Sequence, residues 1–98
     1  PDPVLVLGRD GFVTAANDHA RAVIENDPQG HHISASIRSP AVLEAVQEVM
    51  ATGTPVTVDY ELRVPLERSF QAHVAPLGRA GGAVIVLRDL TREQQIER

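Results

Sequence analysis

Cysteine is absent from this sequence of 98 residues. Its absence excludes disulfides, thiolate nucleophiles, thiolate metal sites and any chromophore linked through sulfur. Lysine is absent too, so all nine basic residues are arginine, and the glycine-rich segment 78–82 is not followed by the Lys-Ser or Lys-Thr pair of a phosphate-binding loop. Several kinds of catalytic and cofactor chemistry are therefore closed to this chain.

Long apolar runs and clusters of basic residues are also missing. No stretch approaches the roughly 18 apolar residues that a membrane span requires, so we expect membrane contact only through flanking segments. The net charge is −4, and only Phe12, Tyr60 and Phe70 could stack on bases. We therefore expect no nucleic-acid partner.

The composition is that of a globular protein, with 43% apolar and 22% charged residues. The length fits one domain, which we place at residues 1–91. We expect residues 92–98 to begin a helix that leads to a further domain, so that the chain is a piece of a longer protein.

Five segments carry the pattern of β-strands. Residues 4–7 and 83–87 are continuous apolar runs, 12–15 follows a glycine-containing turn, and 56–64 and 70–76 alternate between apolar and polar side chains. Alternation indicates a half-buried strand, whereas a strand that is apolar on both sides requires cover on both faces. We therefore predict that the two apolar runs lie in the middle of the sheet.

Helices are predicted between the second and third strands. Asn17 caps a short first helix, and Ser39 followed by Pro40 begins a helix over 40–51 that Gly53 ends. The segment 29–38 is interpreted as irregular or as one helical turn, and 65–68 as a turn. This order predicts an α+β fold, a five-stranded antiparallel sheet with helices packed on one face.

Helices between the strands can cover only one face of such a sheet. The other face of the two central strands would then be covered by a helix that precedes residue 1 or by another subunit. We predict a homodimer.

A charged stretch follows the last apolar run. Thr91 and Gln94 have the spacing of a capping box, which predicts an exit helix over 92–98. On these residues alone, a frayed polar tail after a surface strand is the alternative.

Taken in order, these motifs resemble a PAS domain, a sensory fold common in bacterial signalling proteins. The matching residues are the turn 8–11, Ala16-Asn17 before the first helix, and the segment 82–91. Within that segment, Asp89 and Thr91 resemble the Asp-x-Thr signature at which such domains pass into a signalling helix. The resemblance implies that Asp89 and Thr91 relay the signal.

The segments 67–70 and 87–98 are similar to the cytoplasmic PAS domain of phosphate-regulon sensor histidine kinases. This similarity implies a sensory and dimerisation module on the cytoplasmic side of the bacterial inner membrane, followed in the same chain by a kinase domain. The segment itself is not expected to be an enzyme. The alternative is a small-molecule receptor domain coupled to another output domain.

Many PAS domains hold a cofactor between the long helix and the inner face of the sheet. Haem would need a histidine on the long helix, where residues 40–51 have none, and a redox-sensing flavin pocket would need tryptophan, which the chain lacks. We expect no cofactor and a filled core. Any ligand would be small and mostly apolar, in contact with Val42, Val46, Val49 and Tyr60.

Two polar features remain. His31 and His32 could bind a metal ion together with Asp27, but zinc takes three or four ligands, and we expect no metal site.

Asp89 could pair with an arginine such as Arg68 or Arg79. Alternatively, its charge could stabilise the start of the exit helix through the helix dipole, which is the interpretation we favour.

Overall fold

The computed structural model describes residues 2–24, 27–62, 68–78 and 81–90. Strands and helices follow the predicted α+β order: β1 (Val4–Leu7), β2 (Val13–Ala16), α1 (Asp18–Val23), α2 (Ile33–Ser36), α3 (Pro40–Thr52), β3 (Val56–Leu62), β4 (Arg68–Pro76) and β5 (Ala83–Asp89).

The strands form one antiparallel sheet in the order β2-β1-β5-β4-β3. β1 and β5 are neighbours, with Leu5 opposite Ile85 and Leu7 opposite Ala83. Each of these two strands also pairs on its other side, β1 with β2 and β5 with β4. The prediction that the two apolar runs lie inside the sheet is therefore confirmed.

One face of the sheet, the inner face, packs against the helices and forms the core. Side chains alternate along β5, so that Ala83, Ile85 and Leu87 are fully buried on this face. The long helix α3 contributes its buried residues Val42, Ala45, Val46 and Val49. The helices thus lie on one side of the sheet, as predicted.

The opposite, outer face carries the other side chains of the central strands. Val4 is opposite Val86 and Val6 is opposite Val84. All four side chains are half-buried. We call these four residues the valine stripe.

The predicted ends of α3 are confirmed. The Ser39 side chain accepts from the Val42 amide at 3.4 Å, and Pro40 occupies the start of the helix, where its missing N–H costs no hydrogen bond. Gly53 ends the helix in the left-handed conformation, with φ 73°.

Two elements near the first helix differ from the predictions. α1 ends at Val23 rather than near Pro28, and the strand expected over 12–15 is β2, one residue later. Phe12 instead forms an isolated bridge with His32, because the segment before α2 runs alongside the start of β2. α2 is a single helical turn, one of the two alternatives predicted for the segment 29–38.

The start of β4 also differs from the prediction, because Arg68 belongs to the strand rather than to the preceding turn. Arg68 pairs with Leu62 of β3, and its guanidinium lies over the ring of Phe70, two residues along the same face. Residues 63–67 lie outside the described residues, as do 91–98 and with them the expected exit helix. Within the described part of the chain, no helix is long and apolar enough to cross a bilayer.

β3 lies at one edge of the sheet and β2 at the other. On the outer side of β3, Thr57, Asp59 and Glu61 are exposed. The edge beside the long helix is therefore polar and acidic on its outer side.

The start of β5 depends on a close backbone approach at Gly82. This residue has φ +90°, and a Cβ at this position would overlap the carbonyl oxygen of Leu7 in the neighbouring strand. Gly30 has a similar φ of +87° but would place a Cβ in open space. Alanine substitutions at the two glycines therefore distinguish the cost of the backbone conformation, which both share, from the cost of the overlap with Leu7, which arises only at residue 82.

We predict that Gly30→Ala lowers the free energy of unfolding by about 1 to 2 kcal/mol, the cost of a left-handed L-residue. Gly82→Ala should lower the free energy of unfolding by about 1 to 3 kcal/mol more than Gly30→Ala does, because β1 or β5 must shift to make room for the methyl group. Urea denaturation of both variants measures the difference. Equal losses for the two variants would contradict the close approach.

Candidate functional site

The residues expected to line a ligand pocket are brought together in the core. Val42 and Val49 are fully buried, Val46 is 4% exposed and Tyr60 is 6% exposed, all within one apolar cluster. Ala45, which was not among the predicted contacts, is buried beside them on α3. Their role in ligand binding stays a prediction.

Tyr60 lies on β3 directly opposite Phe70 of β4. The two rings stack, with centroids 6.1 Å apart and planes inclined by 25°. Such offset pairs contribute about 0.5 to 1.5 kcal/mol beyond the area they bury. Burial raises the pKa of the Tyr60 hydroxyl above its ordinary value of 10.0, because the phenolate loses its hydration.

Phe70 connects this aromatic pair to charged residues at the end of the sheet. The Arg68 guanidinium carbon is 5.1 Å from the centre of the Phe70 ring. Arg68 also donates to Asp89, the last residue of β5, which lies opposite Phe70 in the sheet. We call Tyr60, Arg68, Phe70 and Asp89 the exit cluster.

Within the exit cluster, the ion pair between Arg68 and Asp89 contributes modestly to stability. The side chains of Arg68 and Asp89 are each 36% exposed, so water screens their attraction. An ion pair of this exposure contributes about 0 to 1 kcal/mol. The pair can therefore be broken at low cost while the buried rings beside it keep their place.

Of the partners expected for Asp89, the structure shows Arg68. Arg79 and Thr91 lie outside the described residues, so the other expected contacts of the exit helix stay predictions. Leu90 continues the strand pairing beyond Asp89, because its amide donates to the Ser69 carbonyl at 2.8 Å. The position of the chain is thus fixed up to the residue that precedes Thr91.

The chain enters and leaves the sheet at the same end. The Leu87 amide donates to the Pro3 carbonyl at 3.0 Å, just before β1 begins. Val4 is opposite Val86 in the same pair of strands. The segment that leads into β1 therefore lies beside the end of β5.

The outer face combines the valine stripe with polar side chains. His73 of β4 is opposite Val86, and its Nδ1 is 3.0 Å from the Thr57 hydroxyl oxygen on β3. This hydrogen bond lies on the exposed side of the sheet, where the alternation of side chains along β4 places His73. The apolar part of the outer face thus centres on β1 and β5.

The pair His31-His32 has a local structural role in the described region. Nδ1 of His32 accepts from the Ser34 amide at 3.1 Å and so caps the single turn of α2. Its ring also meets the Phe12 ring edge-on, with centroids 5.3 Å apart. His31 is exposed. Among the described residues, no group of three potential ligands lies close enough to hold a metal ion.

Reasoning from the sequence did not identify Phe70 as the residue that links the aromatic pair to the ion pair. Alternation along 70–76 places it on the inner face, but the register between β3 and β4 decides that it meets Tyr60. Arg68 was named as a partner of Asp89 without its contact to the Phe70 ring. An arginine two residues before an inward phenylalanine was the available signal.

Tyr60 provides a direct test of this geometry, because the chain has one tyrosine and no tryptophan. We predict that tyrosinate absorbance of the folded protein rises with a midpoint above pH 10, and that in urea the midpoint returns to about 10. The raised pKa means that stability is unaffected below about pH 10 and falls as the pH rises through the folded-state pKa.

In Tyr60→Phe this alkaline loss of stability should disappear, apart from contributions of other groups. Urea denaturation of both proteins between neutral and alkaline pH measures it. A folded-state midpoint at or below the value in urea would contradict the burial of the hydroxyl.

Several solved structures share this arrangement of strands and helices. A PAS domain of a protein from Colwellia psychrerythraea superposes with a TM-score of 0.73 at 14% identity, covering 93% of this chain and 87% of that one. The PAS domain of the histidine kinase ThkA gives 0.73 at 17% identity, covering 91% of this chain and 100% of that one. At these identities the similarity shows the fold.

A third structure, of an RNA-binding Light-Oxygen-Voltage receptor, gives a TM-score of 0.68 at 20% identity. It covers 98% of this chain and 30% of that one.

No curated protein matches the sequence at a significant level. A family model described as the PAS fold matches residues 1–95. The chain belongs to the PAS family and is a PAS sensory domain, a non-catalytic module.

Proposed function

We propose that this PAS domain is the cytoplasmic sensory and dimerisation module of a sensor histidine kinase of the phosphate-regulon type. In this proposal, the domain relays a signal to a kinase domain of the same chain through the segment that follows Asp89. The parent protein is anchored in the bacterial inner membrane by segments outside this chain, and the kinase domain carries the catalysis.

The observation that carries the relay proposal is the exit cluster. It joins the last residue of a central strand to the neighbouring strand by an ion pair that is only partly buried. Breaking this pair would remove one of the contacts that hold the end of β5, and would let the segment that follows Leu90 change its direction. A change of this kind biases an equilibrium downstream by a few kcal/mol at most.

The kinase assignment rests on sequence similarity at 67–70 and 87–98. A PAS domain of a histidine kinase is among the structures that share the fold. The same exit could precede another output domain, which would leave the relay argument unchanged.

The dimer proposal rests on the valine stripe. Half-buried valines at the centre of the sheet would lose their remaining contact with water beneath a second copy of the domain, at roughly 25 cal/mol per Å² of apolar surface. His73 and Thr57 would lie beside this contact, where their hydrogen bond could persist.

A receptor for a small apolar ligand is the second candidate function. It is supported by the proximity of Val42, Val46, Val49 and Tyr60 in one apolar cluster. Because all four are already buried, a ligand would have to move α3 away from β3. Native mass spectrometry of the protein with candidate ligands tests this, and a stoichiometric adduct would favour the receptor over a filled core.

We predict that Asp89→Asn and Arg68→Gln each change the basal autophosphorylation of the full-length kinase severalfold. Each variant should change the free energy of unfolding of the domain by only about 0 to 1 kcal/mol, as for other partly exposed pairs. Phosphate incorporation and urea denaturation are the two measurements.

A matched control is Arg21→Gln, which breaks the surface contacts of Arg21 with Asp18 at 3.2 Å and Asp27 at 3.4 Å, far along the chain from the exit. Its output should equal that of the wild type. Unchanged output in both exit-cluster variants would exclude the ion pair from the relay.

We also predict a dimer at micromolar concentration by sedimentation, and a monomer for Val86→Arg. The control Gln47→Arg introduces the same charge on the exposed side of α3 and should leave the dimer intact. A wild-type protein that sediments strictly as a monomer, or a Val86→Arg variant that remains dimeric, would exclude the valine stripe as the contact.

A further inference from the structure

Asn17 forms hydrogen bonds in two directions. Its side-chain oxygen accepts from the Ala20 amide at 2.8 Å, which caps α1. The same oxygen accepts from the Val4 amide at 3.0 Å, and the side-chain nitrogen donates to the Asp2 carbonyl at 2.9 Å. The Asn17 amide donates to the Val4 carbonyl at 3.1 Å. One residue thus holds both the helix and the segment that leads into β1.

Capping a helix does not require this side chain. A cap needs one oxygen acceptor, and aspartate or serine provides it about as well as asparagine. The side-chain amide of Asn17 adds a donor on a separate atom, which reaches the Asp2 carbonyl while the oxygen accepts from two amides; an aspartate has no such donor. The contacts to Asp2 and Val4 therefore point to a second role of Asn17, separate from starting α1.

The incoming segment, residues 2–4, is held from its other side by β5. Pro3 accepts from the Leu87 amide at 3.0 Å, and Val4 is opposite Val86. Asn17 lies on one side of this segment, and the last residues of β5 lie on the other. A displacement of the incoming segment would therefore disturb the strand that ends at Asp89.

We propose that Asn17 is a positioning residue that clamps the incoming segment against β5 and so couples the chain before the domain to the chain after it. Signals that arrive through the preceding segment would reach Asp89 across the Pro3–Leu87 hydrogen bond. This consequence for signalling rests on the proposed relay. The clamp itself is a property of the domain alone.

The variant Asn17→Asp tests the clamp without removing the cap. Aspartate keeps oxygens for the Ala20 and Val4 amides and is a good cap, but it cannot donate to the Asp2 carbonyl. Amide hydrogen exchange, followed by NMR, reports on the Leu87 amide. Ile85, two residues earlier on β5 and paired with Leu5, is the internal reference.

In Asn17→Asp we expect exchange of the Leu87 amide to become about tenfold faster, as for the loss of one hydrogen bond that supports a local opening, with Ile85 nearly unchanged. The control Ser39→Ala removes the side-chain cap of α3 and leaves the contacts of Asn17 in place, so the ratio of the two rates should stay as in the wild type.

Equal acceleration of amide exchange at Leu87 and Ile85 would mean that Asn17 contributes only to global stability. No acceleration at either amide would mean that the contact with Asp2 does not stabilise the incoming segment. Either outcome overturns the clamp. Because the exchange experiment involves no output domain, its result is independent of Asp89→Asn in the full-length kinase, which tests the relay. The clamp and the relay can therefore fail separately.

Discussion

The pairing of β1 with β5 at the centre of the sheet is the constraint on which the other features depend. It joins the two most apolar runs of the chain, which are distant in sequence, and it requires a glycine at residue 82, where a Cβ would overlap the Leu7 carbonyl oxygen. It buries Leu5, Leu7 and Ile85 beneath the helices. It also brings the beginning of the described chain beside the end of the last strand, so that both ends of the domain meet at one place.

Where the two ends of the domain meet, strong interactions in the core lie beside a weak interaction at its margin. The central strands and the stacked rings of Tyr60 and Phe70 are buried, and their loss would cost the fold a large part of its core. The contact between Arg68 and Asp89 is partly solvated and contributes little to stability. A sensory domain needs both kinds of contact, because a change of state must leave the core intact while altering what lies beyond it.

Much of this architecture could be predicted from local patterns. The caps of α3 at Ser39 and Gly53 have distinctive residue types. The apolar runs at 4–7 and 83–87 indicate inner strands because their side chains are apolar on both sides. What could not be predicted depends on register. The meeting of Tyr60 with Phe70, the position of Arg68 within β4 and the contacts of Asn17 with Asp2 and Val4 all join residues through strand pairing, which local composition does not specify.

The acidic outer side of β3 has a consequence for how copies of the domain associate. An antiparallel pairing of two β3 edges centred on Asp59 would place the carboxylates of both copies side by side, a repulsive arrangement that protects exposed edges from open-ended stacking. Growth into fibres through this edge is therefore disfavoured.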